Sequence, residues 1–402
     1  MVQSLVIERV RVFDGIDVLE DAGVVVREGR VVEVGSGLEV PGGTQTMHAE
    51  GMTLLPGLLD AHFHALGRPE SLREAAMWGV TTVLDMGSSG KNLKGLKSLA
   101  AQRSDLADLC GASQPAVASD AILKKFPGLE DMPAIDSPGQ AESWVSERLS
   151  EGSDFIKVVY DAPEGGSMTA DTLGAIARAA HTSGKQVWVH ALQEEKTREA
   201  VEAGADGLAH IFIGDSAGSD FGRFLAEHRT VVVPTLVCLL NSKIGEPQVE
   251  PMLADDRLGP FIDPQRLHLW PARPELNHLR KGMSEAMKMI AEAGVTILAG
   301  TDASPFPVGL PRGASLHREL ELLVEEGLTP VQALASATSA PTRAFRIPDR
   351  GYLRPGFRAD MLLVEGDPTS NITSTRNIRA IWKAGVALCG PRRNSPQLRE
   401  GA

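Results

Sequence analysis

Short apolar runs, separated by polar segments, divide this chain of 402 residues into three parts. Residues 1–53 carry β-branched runs that glycine and aspartate interrupt, which is typical of a sheet with tight turns. From residue 54 onwards, apolar runs alternate with helix-like segments. After a helix predicted over 331–340, β-like runs return at 360–364 and 378–388. The pattern predicts that both chain ends are β-rich and that the middle is built of strand–helix units.

The middle part contains eight candidate strands, numbered first to eighth in chain order: 54–60, 80–85, 107–113, 154–159, 186–190, 206–211, 230–236 and 295–300. Helical segments are predicted between them, for example at 71–78, 141–150, 169–183, 194–203 and 274–293. Several of these segments end at a glycine in the position of a helix C′ residue: Gly79, Gly184, Gly204 and Gly294.

Strands that alternate with helices indicate a parallel sheet, and eight such units fit a (β/α)₈ TIM-type barrel. A doubly wound open sheet is the alternative, but no Gly-x-Gly-x-x-Gly sequence follows the first strand. We therefore predict an α/β protein with a barrel over 54–348. We expect residues 1–53 and 349–402 to form one small composite β-sandwich domain beside it.

Composition and charge narrow the class of protein. The formal net charge is −12 without a basic cluster, which argues against nucleic acid or an anionic membrane as a partner. Cys110, Cys238 and Cys389 are far apart, so we expect a reducing cytoplasm rather than a disulfide framework. The N-terminal residues do not have the pattern of a signal peptide, and we expect no membrane-spanning segment.

Two histidines, His62 and His64, end the first candidate strand. Side chains alternate between the two faces of an extended strand, so both imidazoles point to the same side. Neutral imidazole is the commonest metal ligand, and the pair therefore makes half of a metal site. Because the motif is short, two solvated loop histidines are the alternative.

Other ionisable residues mark the remaining strands. Lys157 lies within the fourth strand, His190 closes the fifth, His210 closes the sixth and Asp302 follows the eighth. The C-terminal strand ends of a βα barrel meet at one face, where functional groups are placed. Taken singly, each residue has a plainer interpretation: a snorkelling lysine, packed histidines or a helix N-cap. Taken together, they suit two metal ions bridged by a carboxylate, which a lysine supplies when CO₂ carboxylates its amine.

This set resembles the amidohydrolase superfamily. That family places His-x-His on strand one, a carboxylated lysine on strand four, histidines on strands five and six and an aspartate on strand eight. The matching residues here are His62, His64, Lys157, His190, His210 and Asp302. The likeness covers nearly the whole chain and is carried further by residues 55–62, 154–158, 203–210 and 355–361. Within the superfamily, the chain looks most like the imidazolonepropionase-like group and the prolidase-type enzymes.

The resemblance implies two divalent metal ions and a metal-bridging hydroxide as the nucleophile. It assigns His62, His64 and Asp302 to one ion, His190 and His210 to the other, and carboxylated Lys157 between them. Asp302 would act as general base and then as general acid. Zn²⁺ is the expected metal, although mixed histidine and carboxylate ligation also admits Mn²⁺, Fe²⁺ or Co²⁺. An unmodified Lys157 would leave a single metal.

We therefore predict a metal-dependent hydrolase that cleaves an amide or related C–N bond in a small-molecule or dipeptide-like substrate. A lactonase, a carbamate or ester hydrolase, and a non-hydrolytic lyase or decarboxylase are alternatives from the same site. A metal-free binding protein is a further alternative, although all six ligand positions are filled. Tyr160 and His317 are predicted substrate contacts, with packing as the alternative for His317. The resemblance also implies that a homo-oligomer is common.

Overall fold

The computed structural model describes residues 4–38, 44–125, 131–160, 168–305 and 307–391. The strands in these residues are β1 (Leu5–Phe13), β2 (Val18–Arg27), β3 (Arg30–Gly35), β4 (Gln45–His48), β5 (Met52–Pro56), β6 (Leu58–Phe63), β7 (Val80–Asp85), β8 (Asp108–Gly111), β9 (Ile156–Val159), β10 (Val187–His190), β11 (Gly207–Ala209), β12 (Val231–Val233), β13 (Thr296–Ile297), β14 (Met361–Glu365), β15 (Ile378–Lys383) and β16 (Val386–Leu388).

The α-helices of the described residues are α1 (Pro69–Met77), α2 (Gly90–Gln102), α3 (Ala141–Ser150), α4 (Ala170–Thr182), α5 (Glu194–Glu202), α6 (Phe221–Glu227), α7 (Leu236–Cys238), α8 (Val249–Ala254), α9 (Asn277–Glu292), α10 (Ala314–Glu325), α11 (Pro330–Ser336) and α12 (Ser339–Ala344). A π-helical segment, Leu239–Ile244, continues directly from α7. No helix in the described ranges is both long and apolar enough to cross a membrane.

One large sheet joins strands from both ends of the chain. Its order is β16-β15-β14-β5-β1-β2-β3, and β4 pairs with β1 outside this path. The hairpin between β2 and β3 turns at Glu28 and Gly29, which have φ values of 48° and 76°. Positive φ at both central residues is typical of the type I′ turn, which matches the twist of the flanking strands.

The middle of the chain forms two parallel sheets, β6-β7-β8 and β13-β12-β11-β10-β9. Two isolated parallel bridges run between them: Ala116 pairs with Val158, and Phe63 pairs with Ala303. One buried cluster also contains side chains from both sheets, including Ala61, Leu84, Trp188 and Leu298. The two parallel sheets therefore share hydrogen bonds and a hydrophobic core.

Most predicted strands and helices are confirmed to within a few residues, but the strand predicted over 54–60 is divided at Gly57. β5 joins the large sheet and β6 begins a parallel sheet. Pro56 has no N–H for a ladder, and a Cβ at Gly57 would lie 2.3 Å from Thr81 Oγ1. The apolar run therefore serves two sheets.

Two further expectations need correction. The strand predicted over 230–236 ends at Val233, because Thr235 adopts a left-handed conformation and starts α7. The helix predicted over 331–340 is two helices, α11 and α12, because Thr338 has φ −135° and ψ −89° and leaves the helical region. All three cysteines are free, as predicted.

Candidate metal centre

Five of the six side chains predicted as metal ligands make a continuous set of contacts at the C-terminal ends of the parallel strands. Nε2 of His62 and Nε2 of His64 lie 3.5 and 3.0 Å from Oδ1 of Asp302. The ring centroids of His62 and His210 are 4.8 Å apart, and those of His190 and His210 are 4.5 Å apart. His62, His210 and Asp302 each offer a ligand atom within 4.8 Å of the others. This spacing allows one cation to contact all three.

The sixth side chain, Lys157, lies on β9 and is only 4% exposed. Its Nζ has no hydrogen-bond partner among the described residues. Burial lowers the pKa of Lys157 to about 7, although the charge of Asp302 acts in the opposite direction. A buried polar group without a partner is costly. Among the described residues of the site, Nδ1 of His62 also has no hydrogen-bond partner, but Lys157 is the one amine, and it fits a role in which another group completes its bonding.

The electrostatics prepare the other side chains for metal binding. Burial lowers the pKa of His190 to about 3 and the pKa values of His62 and His210 well below their ordinary value. Burial alone would raise the pKa of Asp302, but its contacts with His62 and His64 bring it well below the ordinary value. Neutral imidazoles and a carboxylate are the donor set that zinc sites use.

Asp60 ties the first strand to the eighth beneath this cluster. Its carboxylate accepts hydrogen bonds from His62 N at 3.1 Å, Thr301 N at 3.0 Å and Thr301 Oγ1 at 2.6 Å. A Cβ at Gly300 would lie 2.6 Å from His62 N, so only glycine lets the two strands come this close. These contacts fix His62 relative to Asp302.

Three residues of the site have positive φ without being glycine. His210 has φ 144°, and Thr235 and Asp302 both have φ 51°. Such conformations cost about 1–3 kcal/mol each and persist where the surroundings impose them, commonly at functional sites. The strain therefore coincides with two of the predicted ligands and with a residue that contacts one of them.

The sequence did not reveal two side chains that touch the predicted ligands. Thr235 Oγ1 lies 2.6 Å from Nδ1 of His210, and Sγ of Cys238 donates to Oδ2 of Asp302 at 3.3 Å. Both follow the seventh strand, which carries no predicted ligand. The apolar run in residues 230–236 has the sequence pattern of a strand, so nothing in the sequence indicated that the chain turns at Thr235.

Glu319, on α10, is the third residue that the sequence did not reveal. It is fully buried and accepts hydrogen bonds from Leu236 N at 3.0 Å and Val237 N at 2.7 Å. Burial raises its pKa to about 8. Its position between Leu316 and Leu320 on the buried stripe of the helix was the available signal, because a charged residue there needs a partner.

The two predicted substrate contacts are engaged elsewhere in the fold. The buried Tyr160 donates its hydroxyl to Glu199 on α5 at 2.6 Å, and its contact with substrate stays a prediction. The buried His317 places Nε2 3.0 Å from the carbonyl oxygen of Trp78, which precedes β7. That is the end of the strand opposite the candidate metal centre. This contact favours the packing role for His317, whose contact with substrate stays a prediction, and burial lowers its pKa to about 4.

Parallel strands with helices between them, and a cluster of neutral histidines and one carboxylate at their C-terminal ends, define a metal-dependent hydrolase of the α/β class. Residues 53–388 match the model of the amidohydrolase family, and the chain belongs to that family. It is a hydrolase of carbon–nitrogen bonds.

Individual relatives agree with this assignment. The chain is 25% identical over 420 residues to imidazolonepropionase of Deinococcus deserti, with 92% of each chain covered. A solved Xaa-Pro dipeptidase with bound methionine superposes with a TM-score of 0.77 at 22% identity, covering 96% of this chain and 99% of the other. The structure of A. niger ochratoxinase superposes with a TM-score of 0.76 at 20% identity, covering 98% and 99%. The two structures support the fold.

Proposed function

We propose that this protein uses a two-metal centre to cleave an amide bond, or a related C–N bond, in a small-molecule or dipeptide-like substrate. The observation that carries the proposal is the orphaned amine of Lys157 beside four histidines and an aspartate. Carboxylation would turn this buried amine into an anionic oxygen donor. The site would then hold two cations rather than one.

Two metal ions, most simply Zn²⁺, would be held by the six residues as follows: one by His62, His64 and Asp302, the other by His190 and His210, with carboxylated Lys157 as a ligand shared by the site. Cations bound there polarise a substrate carbonyl and lower the pKa of water to near neutrality. The ligand atoms of His62, His210 and Asp302 already lie within 4.8 Å of one another. Mn²⁺, Fe²⁺ and Co²⁺ satisfy the same donors.

Asp302 is the residue we assign to proton transfer. Its side chain is 17% exposed, whereas that of His62 is 1% exposed, so Asp302 can be reached from the substrate side. Asp302 therefore takes the proton of the attacking water and delivers it to the leaving nitrogen.

A positive side chain near the centre favours substrates that carry a carboxylate. Lys243 is exposed on the π-helical segment that follows α7. It lies five residues after Cys238, whose Sγ contacts Asp302, on the segment that continues directly from α7. Dipeptides and N-acyl amino acids are therefore the substrates we put first.

The proposal is tested by assaying zinc-loaded protein against dipeptides, N-acyl amino acids and lactams. Esters, lactones and carbamates with the same acyl groups are assayed in parallel as alternative substrates. We expect hydrolysis of the C–N bonds, and we expect Lys243→Met to raise KM for the carboxylate substrates while leaving neutral amides unchanged. Turnover of esters or lactones alone, or of none of these compounds, would overturn the proposed reaction.

The architecture that we propose for this function is a closed (β/α)₈ barrel made from the two parallel sheets. The bridges Ala116–Val158 and Phe63–Ala303 and the shared core support closure. The large sheet would be the core of a composite β-sandwich domain from both chain ends. We place the first boundary at Gly57 instead of residue 53, because β5 pairs with β14. The second stays at 349, and residues 1–3, 39–43 and 392–402 of the predicted domain lie outside the described chain.

We also propose that the protein acts in the cytoplasm on small molecules, without a nucleic-acid or membrane partner. Three free cysteines suit a reducing compartment, and the net charge of −12 disfavours polyanionic partners. Whether copies associate into a homo-oligomer is a prediction from the family resemblance. Sedimentation of the purified protein would test it.

A further inference from the structure

We propose that the turn Thr235–Cys238, called here the 235–238 turn, is a positioning device for the predicted metal ligands on the two neighbouring strands. In this device, Cys238 orients the carboxylate of Asp302. The turn follows β12, the seventh parallel strand, whose two neighbours in the sheet are β11 and β13. The inference rests on the proposed metal centre and adds residues to which that proposal gives no role.

The first arm of the turn holds His210, which follows β11. Thr235 is the N-cap residue directly before α7 and has a left-handed conformation. Its Oγ1 lies 2.6 Å from Nδ1 of His210. With Nδ1 occupied by this hydrogen bond, Nε2 is the nitrogen left to bind a cation. A hydrogen bond to the second ring nitrogen fixes both the tautomer and the orientation of a ligating histidine.

The second arm holds Asp302, which follows β13. Sγ of Cys238 donates to Oδ2 at 3.3 Å, while His62 and His64 approach Oδ1 at 3.5 and 3.0 Å. The two carboxylate oxygens therefore have different partners, so the side chain cannot rotate without losing contacts. In this contact the thiol is the donor and the carboxylate oxygen is the acceptor.

A buried anchor fixes the turn between these arms. Glu319 on α10 accepts hydrogen bonds from Leu236 N and Val237 N, one on each carboxylate oxygen. These amides belong to the two residues between Thr235 and Cys238. The carboxylate of Glu319 therefore fixes the position of Thr235 and Cys238 relative to α10. Among the described residues, no contact joins Glu319 to His210 or Asp302.

The test is a titration of metal-free protein with Co²⁺ in the presence of bicarbonate, followed by the visible spectrum and by competition with a chelator. The variants are Cys238→Ala, Cys238→Ser and Thr235→Val, and Cys110→Ala is the matched control at another free cysteine, on β8. Loss of a hydrogen bond that orients a metal ligand commonly weakens metal binding about 10- to 100-fold. We expect Cys238→Ala and Thr235→Val to show weakening in this range and altered d–d bands.

Conservative replacement separates positioning from bulk stability. We expect Cys238→Ser to regain most of the affinity, because its hydroxyl can donate to Oδ2. The Tm of the metal-free Cys238→Ala protein should stay close to that of Cys110→Ala. Affinity of Cys238→Ala equal to that of the wild type would overturn the inference.

A sulfur-to-cobalt charge-transfer band in the wild type, absent from Cys238→Ser, would also overturn the inference, because Cys238 would then be a ligand. Failure of the wild type to bind Co²⁺ would be a different result. It would overturn the proposed metal centre itself, and the positioning role with it.

Discussion

Asp108, at the start of β8, is surrounded by three cationic side chains, whereas Lys157, on the next strand, β9, has no hydrogen-bond partner among the described residues. The carboxylate of Asp108 contacts Arg350 at 2.8 Å, Lys383 at 2.6 Å and also Arg358. Lys383 in turn donates to three backbone carbonyls. In this cluster, therefore, the partly buried charges are paired.

The difference separates a structural cluster from a functional one. Arg350, Arg358 and Lys383 come from the C-terminal part of the chain, so the Asp108 cluster joins the large sheet to the parallel strands. A buried ion pair tolerates desolvation only when both partners are present. Lys157 bears the desolvation penalty without a protein partner, and such uncompensated groups mark sites where another species binds.

Removing the orphaned amine should have the largest effect on activity. We expect Lys157→Met to lose both metal and activity, with kcat/KM lower by roughly 10⁴-fold or more, because proton transfer and charge stabilisation fail together. The metal-free variant should nevertheless be at least as stable as the wild type to urea. Full activity in this variant would remove Lys157 from the centre.

Asp302→Asn should have a smaller effect on binding and a large one on turnover. The amide keeps one oxygen ligand but cannot carry the proton, so we expect most of the metal to remain while kcat falls by about 10²- to 10⁴-fold. Elemental analysis and steady-state kinetics on the same preparation check this. An active Asn variant would show that another group transfers the proton.

Asp108→Asn should show the opposite behaviour. Three cations would lose their common partner. Asp108 is 15% exposed, so we expect a cost at or below the lower end of the about 3–5 kcal/mol of unfolding free energy that breaking a fully buried pair takes. Metal content and kcat of the folded variant should be unchanged. The control is Asp105→Asn, at a half-exposed carboxylate paired with Arg103, where we expect about 1 kcal/mol or less. Equal effects at the two positions would contradict the structural role of the cluster.

A pH dependence of stability also distinguishes the two regions. The folded-state pKa of Lys157, about 7, lies below the ordinary 10.5, so the unfolded chain binds the extra proton between these values. The stability of the metal-free wild type relative to Lys157→Met should therefore rise as pH increases from about 7 towards 10.5.

Asp108 provides the comparison, because opposing charges lower its pKa despite burial. Its contribution is complete above the ordinary carboxyl range and is lost only in acid. The difference between wild type and Asp108→Asn should thus stay constant over the same alkaline range. Urea unfolding at several pH values measures both. A constant difference for Lys157→Met would show that its amine is not desolvated as the structure indicates.

Residues that act through their strand position could be predicted from the sequence. The spacing of His62 and His64 and the ends of the fourth, fifth, sixth and eighth strands were enough to nominate six side chains, because strand parity and the common direction of parallel strands are local properties. The same rhythm of apolar runs predicted most of the strands and helices.

Residues that act through contacts distant in sequence could not be predicted. Leu236 and Glu319 are 83 positions apart, and no sequence pattern near either residue predicts the hydrogen bond between them. The break at Gly57 depends likewise on Thr81 and Asp360, which pack where a side chain would stand. The left-handed Thr235 was hidden in an apolar run, because tertiary contacts override the local preference for a strand.

The central claim is that the uncompensated cluster at the C-terminal strand ends is completed by two cations. The most direct measurement is the metal content per chain, by elemental analysis of protein purified without chelator or added metal. The account predicts close to two equivalents of divalent metal in the wild type and a loss of metal in Lys157→Met. No metal in the wild type, with none taken up after addition of zinc and bicarbonate, would contradict it.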